Sequence, residues 1–309
     1  MIASVACIGA GQVGRAWAVA FARAGYDVRL HDRDSDLVSA VALPSIAGTL
    51  ADLDAAGTLV EPAAVIAARV RSATTIAEAV ADVAHVQESV REDLAIKRAV
   101  FTEIATHAPA TARLCSSTSA LRGSEFLRHV AAPERAMVAH PVNPPSHIPL
   151  VELCGSGLTT EAELAAGRAF FEEIGMRPIL LNKEIDGFIL NRLQYTLIAE
   201  ALHLVGEGYC SAADIDRVMT DGLALRWASL GPFAVAHLNA ANGFRGFVDQ
   251  LGPMMRRMGS DARTDYPWTD ATINAIHAEL CEIMPVEKIP QHQARRDQRI
   301  LAVRKLQES

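Results

Sequence analysis

Short apolar runs alternate with longer stretches of helical period through the first 185 residues, and after that the strand signals fade. Residues 2–8 read as a strand, and a helical pattern follows through Trp17, Val19, Ala20 and Phe21 to Gly25. Further strands are expected at Asp27–His31, His85–Gln87, Arg113–Ser116 and Ala136–Ala139, from about Leu150, and at Pro178–Leu181. Residues 34–70 look helical, broken near Pro44, Gly57 and Pro62, and a helix carrying Val100, Phe101 and Ile104 follows the third strand. Thr159 to Gly175 has the spacing of an amphipathic helix with Leu164, Phe170, Phe171 and Ile174 inward. Seven or so strands alternating with helices imply an α/β fold, a Rossmann-type doubly wound, mostly parallel sheet. From Gly187 a long helix is apolar around most of its circumference, which suits a helical domain or a subunit interface. Ser211 to Asp214 reads as a capping box, and 293–309 as a basic amphipathic helix. The expected organisation is therefore 1–185 for the sheet domain and 186–309 for an all-α domain.

Composition narrows the classes. Half of the 309 residues are hydrophobic and 21% are charged, the balance of a globular protein with a full core. No apolar run looks long enough to span a membrane, and no basic leader precedes the first strand, so the expectation is cytoplasmic. A net charge of −7 argues against nucleic acid or an anionic membrane as partner. The five cysteines are far apart and form no Cys-x-x-Cys pair, so neither a metal site nor a disulfide framework is indicated.

The glycines carry the first chemistry. Gly9-Ala10-Gly11-Gln12-Val13-Gly14 stands between the first strand and its helix, and Asp32 closes the second strand eighteen residues after Gly14. Gly9 permits the turn, Gly11 lets backbone approach a pyrophosphate, Gly14 allows close helix packing, and the helix N-terminus offers N–H groups to phosphate. An acid at that distance accepts from ribose hydroxyls and repels a 2′-phosphate, so the cofactor is expected to be NAD rather than NADP. Between 34 and 70, Asp34, Asp36, Asp52, Asp54 and Glu61 are opposed only by Arg69, a poor surface for a polyphosphate handle such as coenzyme A. Glu92 and Lys97 are five apart, not an ideal helical pair, and read from spacing as surface charges or as groups flanking a ligand. Ser117-Thr118-Ser119 ends a strand at the edge where open α/β sheets bind ligands, although Ser119 would also serve as a helix cap.

The stretch from His140 to Glu152 joins an imidazole to a carboxylate across twelve residues. Pro141, Pro144, Pro145 and Pro149 between them make it a stiff, non-helical connection entering a strand. A carboxylate that holds one imidazole tautomer is the natural partner of a general base. Further on, Asn191 is polar near the start of an apolar helix, and Arg226 lies among apolar residues, where a buried or half-buried guanidinium would want an anion.

Together these spacings resemble the L-3-hydroxyacyl-CoA dehydrogenase superfamily, and within it the lambda-crystallin and L-gulonate 3-dehydrogenase branch, over nearly the whole chain. The superfamily pattern has a serine in an Asn-Thr-Ser-like turn, a histidine twenty-one residues later, a glutamate twelve further on and an asparagine in a Gly-Phe-Ile-x-Asn-Arg helix start. Ser119, His140, Glu152 and Asn191 fall on those positions. The resemblance implies an NAD-dependent dehydrogenase in which these four carry catalysis, Ser119 and Asn191 also touch substrate, and Glu92 and Lys97 join Gly9, Gly11, Gln12, Val13, Gly14 and Asp32 in contacting the cofactor. Where acyl-CoA members read His-Phe-Phe-Asn-Pro, this chain has His140-Pro-Val-Asn143-Pro-Pro145, as does the lambda-crystallin branch. That points to a small free L-3-hydroxy acid, L-gulonate first, with Arg226 as a carboxylate contact. A short-chain 3-hydroxybutyryl-CoA dehydrogenase, an L-carnitine dehydrogenase and a crystallin-like structural protein are the alternatives. A homodimer through the helical domain is the expected assembly.

Overall fold

The computed structural model describes residues 4–308, so Ile2 and Ala3 of the first expected strand, and Ser309 of the last helix, lie outside the described residues. The chain separates into two compact units, 1–191 and 192–309.

In the first unit an eight-stranded sheet has the order β3-β2-β1-β4-β5-β6-β7-β8. The strands are β1 Ser4–Ile8, β2 Asp27–His31, β3 Val70–Ser72, β4 His85–Glu88, β5 Arg113–Ser116, β6 Ala136–Pro141, β7 Leu150–Gly155 and β8 Arg177–Leu181. The helices are α1 Gln12–Arg23, α2 Leu43–Ala55, α3 Ala63–Ala67, α4 Ile76–Val80, α5 Leu94–His107, α6 Gly123–Phe126, α7 Glu161–Glu173 and α8 Phe188–Gly206, whose start belongs to this unit. All neighbours pair parallel except β6 with β7. The strand order reverses between β1 and β4, and at such a switch point the first turns after the strands diverge to leave a crevice. One consequence of the antiparallel pair is direct: in the β6–β7 register His140 stands opposite Glu152.

Seven of the strands lie where the apolar runs place them. The eighth, β3, starts on the last residue of the stretch 34–70 expected to be helical and runs past it, where no strand is expected; it is three residues long, sits at the sheet edge, and only Val70 of its three is buried. A second expectation changes as well. The helical run Leu37–Ala55 is long and apolar enough to cross a membrane by length and composition. It is nonetheless a face-packed helix: Val38, Ala42, Ile46, Leu50 and Leu53 are buried at helical spacing while Ser39, Ser45, Asp52 and Asp54 are exposed.

The core on the α4/α5 side joins Phe101, Ile104, Phe126, Val138 and Phe188. On the opposite side Trp17 and Phe21 of α1 meet Phe171 and the buried His85. Burial pushes the His85 imidazole down to about 3, with the Arg113 charge acting in the same direction, so the ring is neutral in the fold.

The second unit is helical throughout: after α8 come α9 Ala212–Arg217, α10 Ala224–Trp227, α11 Pro232–Leu238, α12 Gly243–Gly259, α13 Asp270–Ile283 and α14 Ile289–Glu308. Ser211 caps α9 by accepting from the Asp214 N–H, as its spacing suggests. Glu279 of α13 fixes the same helix start through the Ala212 and Ala213 N–H groups.

Candidate active site

The glycine turn closes against its neighbours so tightly that two of its three glycines are obligatory. Gly9 has φ +104°, and a Cβ there would lie 2.5 Å from the Ser89 carbonyl oxygen; a Cβ on Gly14 would lie 1.8 Å from the Gly9 oxygen. Gly11 is different: a Cβ on it meets no protein atom within 4 Å. Packing does not demand this glycine, but a ligand pressed onto the backbone would. Gly11 is also the N-cap of α1 and supplies no side-chain cap, which leaves the helix's first N–H groups, from Gln12 and Val13 onward, available to an anion. Asp32 accepts from the Ala10 N–H at 2.8 Å through one oxygen and from Asp34 N–H at 3.1 Å through the other, which anchors the turn to the end of β2. Beside it a cleft of about 130 Å³ is bounded by Ile8, His31, Arg33, Ile76 and Ile96. An anion cradle, a carboxylate and an apolar slot in sequence fit the pyrophosphate, ribose and adenine of NAD.

At the far end of the crevice, His140 Nδ1 lies 2.8 Å from Glu152 Oε2, both groups buried. The carboxylate accepts, so Nδ1 carries the proton and Nε2 is the basic nitrogen. Nε2 has no hydrogen-bond partner among the described residues and is not sealed from solvent. Glu152 Oε1 accepts from the Ile189 and Leu190 N–H groups at 2.9 and 3.0 Å, the unpaired donors at the start of α8. That helix start delivers two more side chains. Phe188, held at φ +51° after Gly187, stacks on the His140 ring with centroids 5.1 Å apart, and Asn191 Nδ2 donates to the Ser119 carbonyl at 2.9 Å. The four residues carried over from the family pattern are thus one connected set: Ser119 to Asn191, along α8 to Glu152, and on to His140.

Ser119 is exposed and does not cap a helix; Arg122 occupies the N-cap of α6. The Ser119 turn is held by Glu92, whose Oε1 accepts from the Thr118 hydroxyl and from the Ser119 and Ala120 N–H groups at 2.5, 3.0 and 3.0 Å. Burial acts to raise the Glu92 carboxyl, but Thr118 and Lys97 together outweigh it and hold the group below its ordinary range. Glu92 and Lys97 do pair, at 3.3 Å, against the expectation from their spacing. The helix rule does not apply because Glu92 precedes α5, which is capped at Asp93. Lys97 is only 1% exposed, and its ammonium also bonds Glu88 at 2.9 Å. Glu88 completes its shell with the Ser116 hydroxyl at 2.5 Å and the Val90 N–H at 2.7 Å.

Arg226 corrects another expectation. It lies on the four-residue helix α10 with Leu225 and Trp227, and all three are exposed, so no burial obliges it to find an anion. Glu88 and Phe188 went unnoticed in the sequence: Glu88 needs the β4–β5 pairing to meet Ser116, and Phe188 reads as one more apolar position. A signal for the second existed, since Gly187 before it marks a left-handed turn.

The crevice at the switch point and the His140–Glu152 pair define an NAD-dependent dehydrogenase acting on a CH–OH group. Residues 4–185 match the model of the 3-hydroxyacyl-CoA dehydrogenase NAD binding domain, and residues 187–278 that of the 3-hydroxyacyl-CoA dehydrogenase C-terminal domain. The chain belongs to the 3-hydroxyacyl-CoA dehydrogenase family. It is 38% identical to lambda-crystallin of Oryctolagus cuniculus, over 94% of this chain and 91% of the relative. It is 34% identical to an L-carnitine dehydrogenase of Oceanobacillus iheyensis, over 90% and 87%. The solved structure of 5-formyl-3-hydroxy-2-methylpyridine 4-carboxylic acid 5-dehydrogenase, described as an NAD+-dependent dismutase, superposes with TM-score 0.87 at 26% identity, over 100% of this chain and 99% of that one.

Proposed function

We propose that the protein oxidises the 3-hydroxyl of a small L-3-hydroxy acid carrying a free carboxylate, with L-gulonate as the leading substrate. The observation that carries the chemistry is the His140–Glu152 pair, which leaves Nε2 as a base without an internal partner. In this reading His140 Nε2 takes the hydroxyl proton. Glu152 holds the tautomer and stabilises the imidazolium that results. Ser119 and Asn191 hydrogen-bond the reacting oxygen, and Asn191 is already fixed to the Ser119 turn. NAD, when bound, supplies the hydride acceptor; the Gly9–Gly14 turn, Asp32 and, of the Glu92–Lys97 pair, Glu92 hold it, since Lys97 is too buried for the contact the family pattern implies. Glu92 presents the reachable carboxylate of that last pair, and Lys97 acts by neutralising it from below.

Three features support a free acid over a coenzyme A thioester. The similarity to lambda-crystallin is one. The second is the His140-Pro-Val-Asn-Pro-Pro145 filling of the β6–β7 connection. The third is that Arg69, the only cation between residues 34 and 70, is spent on Glu61, with two bonds of 2.8 and 2.6 Å. Arg226, exposed and chemically suited to a carboxylate, takes that end of the substrate. The likeness to an L-carnitine dehydrogenase favours a second reading, oxidation of a small hydroxy acid bearing a quaternary ammonium. The helical unit is read as the dimerisation and substrate domain, with Leu193 and Leu197, exposed one turn apart on α8, as the apolar surface.

NADH formation from L-gulonate, L-carnitine, 3-hydroxybutyrate and 3-hydroxybutyryl-CoA at equal concentration tests the reading. A larger kcat/KM for a free acid is expected, and a larger value for the thioester would overturn it. No turnover of any of the four would favour a crystallin-like structural protein.

A further inference from the structure

A chain of buried and half-buried hydrogen bonds on the α1 side of the sheet fixes the direction of one hydroxyl proton. Gln87 Nε2 lies 3.4 Å from the Ala139 carbonyl, which can only accept, so the amide nitrogen faces that way and toward Ser117 Oγ at 2.7 Å. The amide oxygen then faces His85 Nε2 at 3.2 Å, which carries the proton of the neutral ring. Trp17 Nε1, a donor only, also donates to Ser117 Oγ, at 3.1 Å. With both lone pairs of Ser117 occupied, its own proton must go to Ser89 Oγ, 2.9 Å away. Ser89 is thereby made an acceptor on its inner side and keeps a proton with no partner among the described residues.

The position of Ser89 says what that proton meets. Its carbonyl abuts Gly9 and its Cβ lies 3.5 Å from where a Gly14 side chain would start, so it borders the phosphate turn. Ser117, its neighbour, leads two residues on to Ser119. A dinucleotide laid from the glycine turn to His140 must cross the ends of β4 and β5, where these two serines stand. The pyridinium ring has no acceptor of its own; its carboxamide oxygen does.

We propose that Ser89 is a cofactor-binding residue whose hydroxyl, oriented by Trp17, Gln87 and Ser117, donates to the carboxamide carbonyl of the nicotinamide. The inference rests on the glycine turn being the pyrophosphate site. Binding calorimetry on the full chain, with NAD+, ADP-ribose and thionicotinamide adenine dinucleotide, separates the two. Ser89→Ala is expected to weaken NAD+ by about three- to tenfold, the worth of one neutral hydrogen bond. It should leave ADP-ribose unchanged and erase the wild type's preference for the carboxamide over the thioamide, a poorer acceptor. In the wild type, NAD+ should also move the Trp17 indole N–H resonance, one of three from the three tryptophans, through Ser117. Unchanged NAD+ affinity in Ser89→Ala, or an equal loss for ADP-ribose, would overturn the proposal. If the wild type fails to bind ADP-ribose, the phosphate site itself is misread and the proposal falls with it.

Discussion

Two carboxylates stand at the same edge of the sheet, both fully buried, and have opposite kinds of partner. Glu88, at the end of β4, is closed in by an ammonium, a hydroxyl and a backbone N–H; Lys97 in turn is almost wholly inaccessible. Glu152, in β7, spends one oxygen on the α8 start and the other on His140, whose far nitrogen remains open. A buried carboxylate closed in on every side by an ammonium, a hydroxyl and a backbone N–H is structure. The same charge facing a group that gains and loses a proton, with one side unsatisfied, is chemistry. Burial and hydrogen bonding alone do not separate the two cases; a basic nitrogen left open on the partner's far side does.

The largest expected effect is on the structural pair. Lys97→Met leaves Glu88 buried without its cation and should lower unfolding stability by about 3–5 kcal/mol in chemical denaturation. Adding Glu88→Gln should recover most of that loss, because the uncompensated charge rather than the missing bond is the cost. No recovery would mean that Glu88 and Lys97 act independently.

A third buried titratable group marks the opposite extreme, one held neutral. His85 stays unprotonated in the fold down to about 3 while the unfolded chain takes up a proton near 6.5. The unfolded state therefore binds more protons between those values, and stability falls as pH drops through that window, by about 3 kcal/mol at pH 4. His85→Phe, which suits the Phe21, Phe170 and Phe171 surroundings, should flatten the stability profile there. An unaltered profile would assign the acid sensitivity to other groups.

Glu152→Gln sharpens the comparison from the chemical side. The amide keeps the shape and can still accept from α8, yet loses the charge that stabilises an imidazolium. Turnover should fall about a hundredfold, the lower end of what a positioned general base contributes. Stability should change much less than in Lys97→Met, and equal stability losses would place Glu152 with Glu88. Smallest is Asp32→Ala, expected to cost about tenfold in NAD affinity and to narrow the gap to NADP, since charge-assisted bonds to ribose are lost along with the repulsion of a 2′-phosphate.

How far the sequence reveals this depends on whether a residue's partner is near in pattern. His140 and Glu152 flank a short proline-filled connection between two strands, so their antiparallel pairing follows from local order. The glycine turn is legible because strand, turn, helix and acid come in fixed succession. Glu88 meets Ser116 and Lys97 only when β4 and β5 pair and α5 packs over them, and the Trp17–Ser117–Gln87 chain joins residues up to 100 positions apart. Strand β3 is hidden because three residues with one buried side chain carry no period of their own. Arg226 misled because apolar neighbours in sequence do not imply burial on a short exposed helix.

The most direct measurement pairs steady-state turnover with NAD calorimetry for His140→Ala. Loss of turnover by at least about a hundredfold with NAD affinity nearly unchanged is the predicted result. Surviving turnover would contradict the assignment of His140 as the base that Glu152 holds in place.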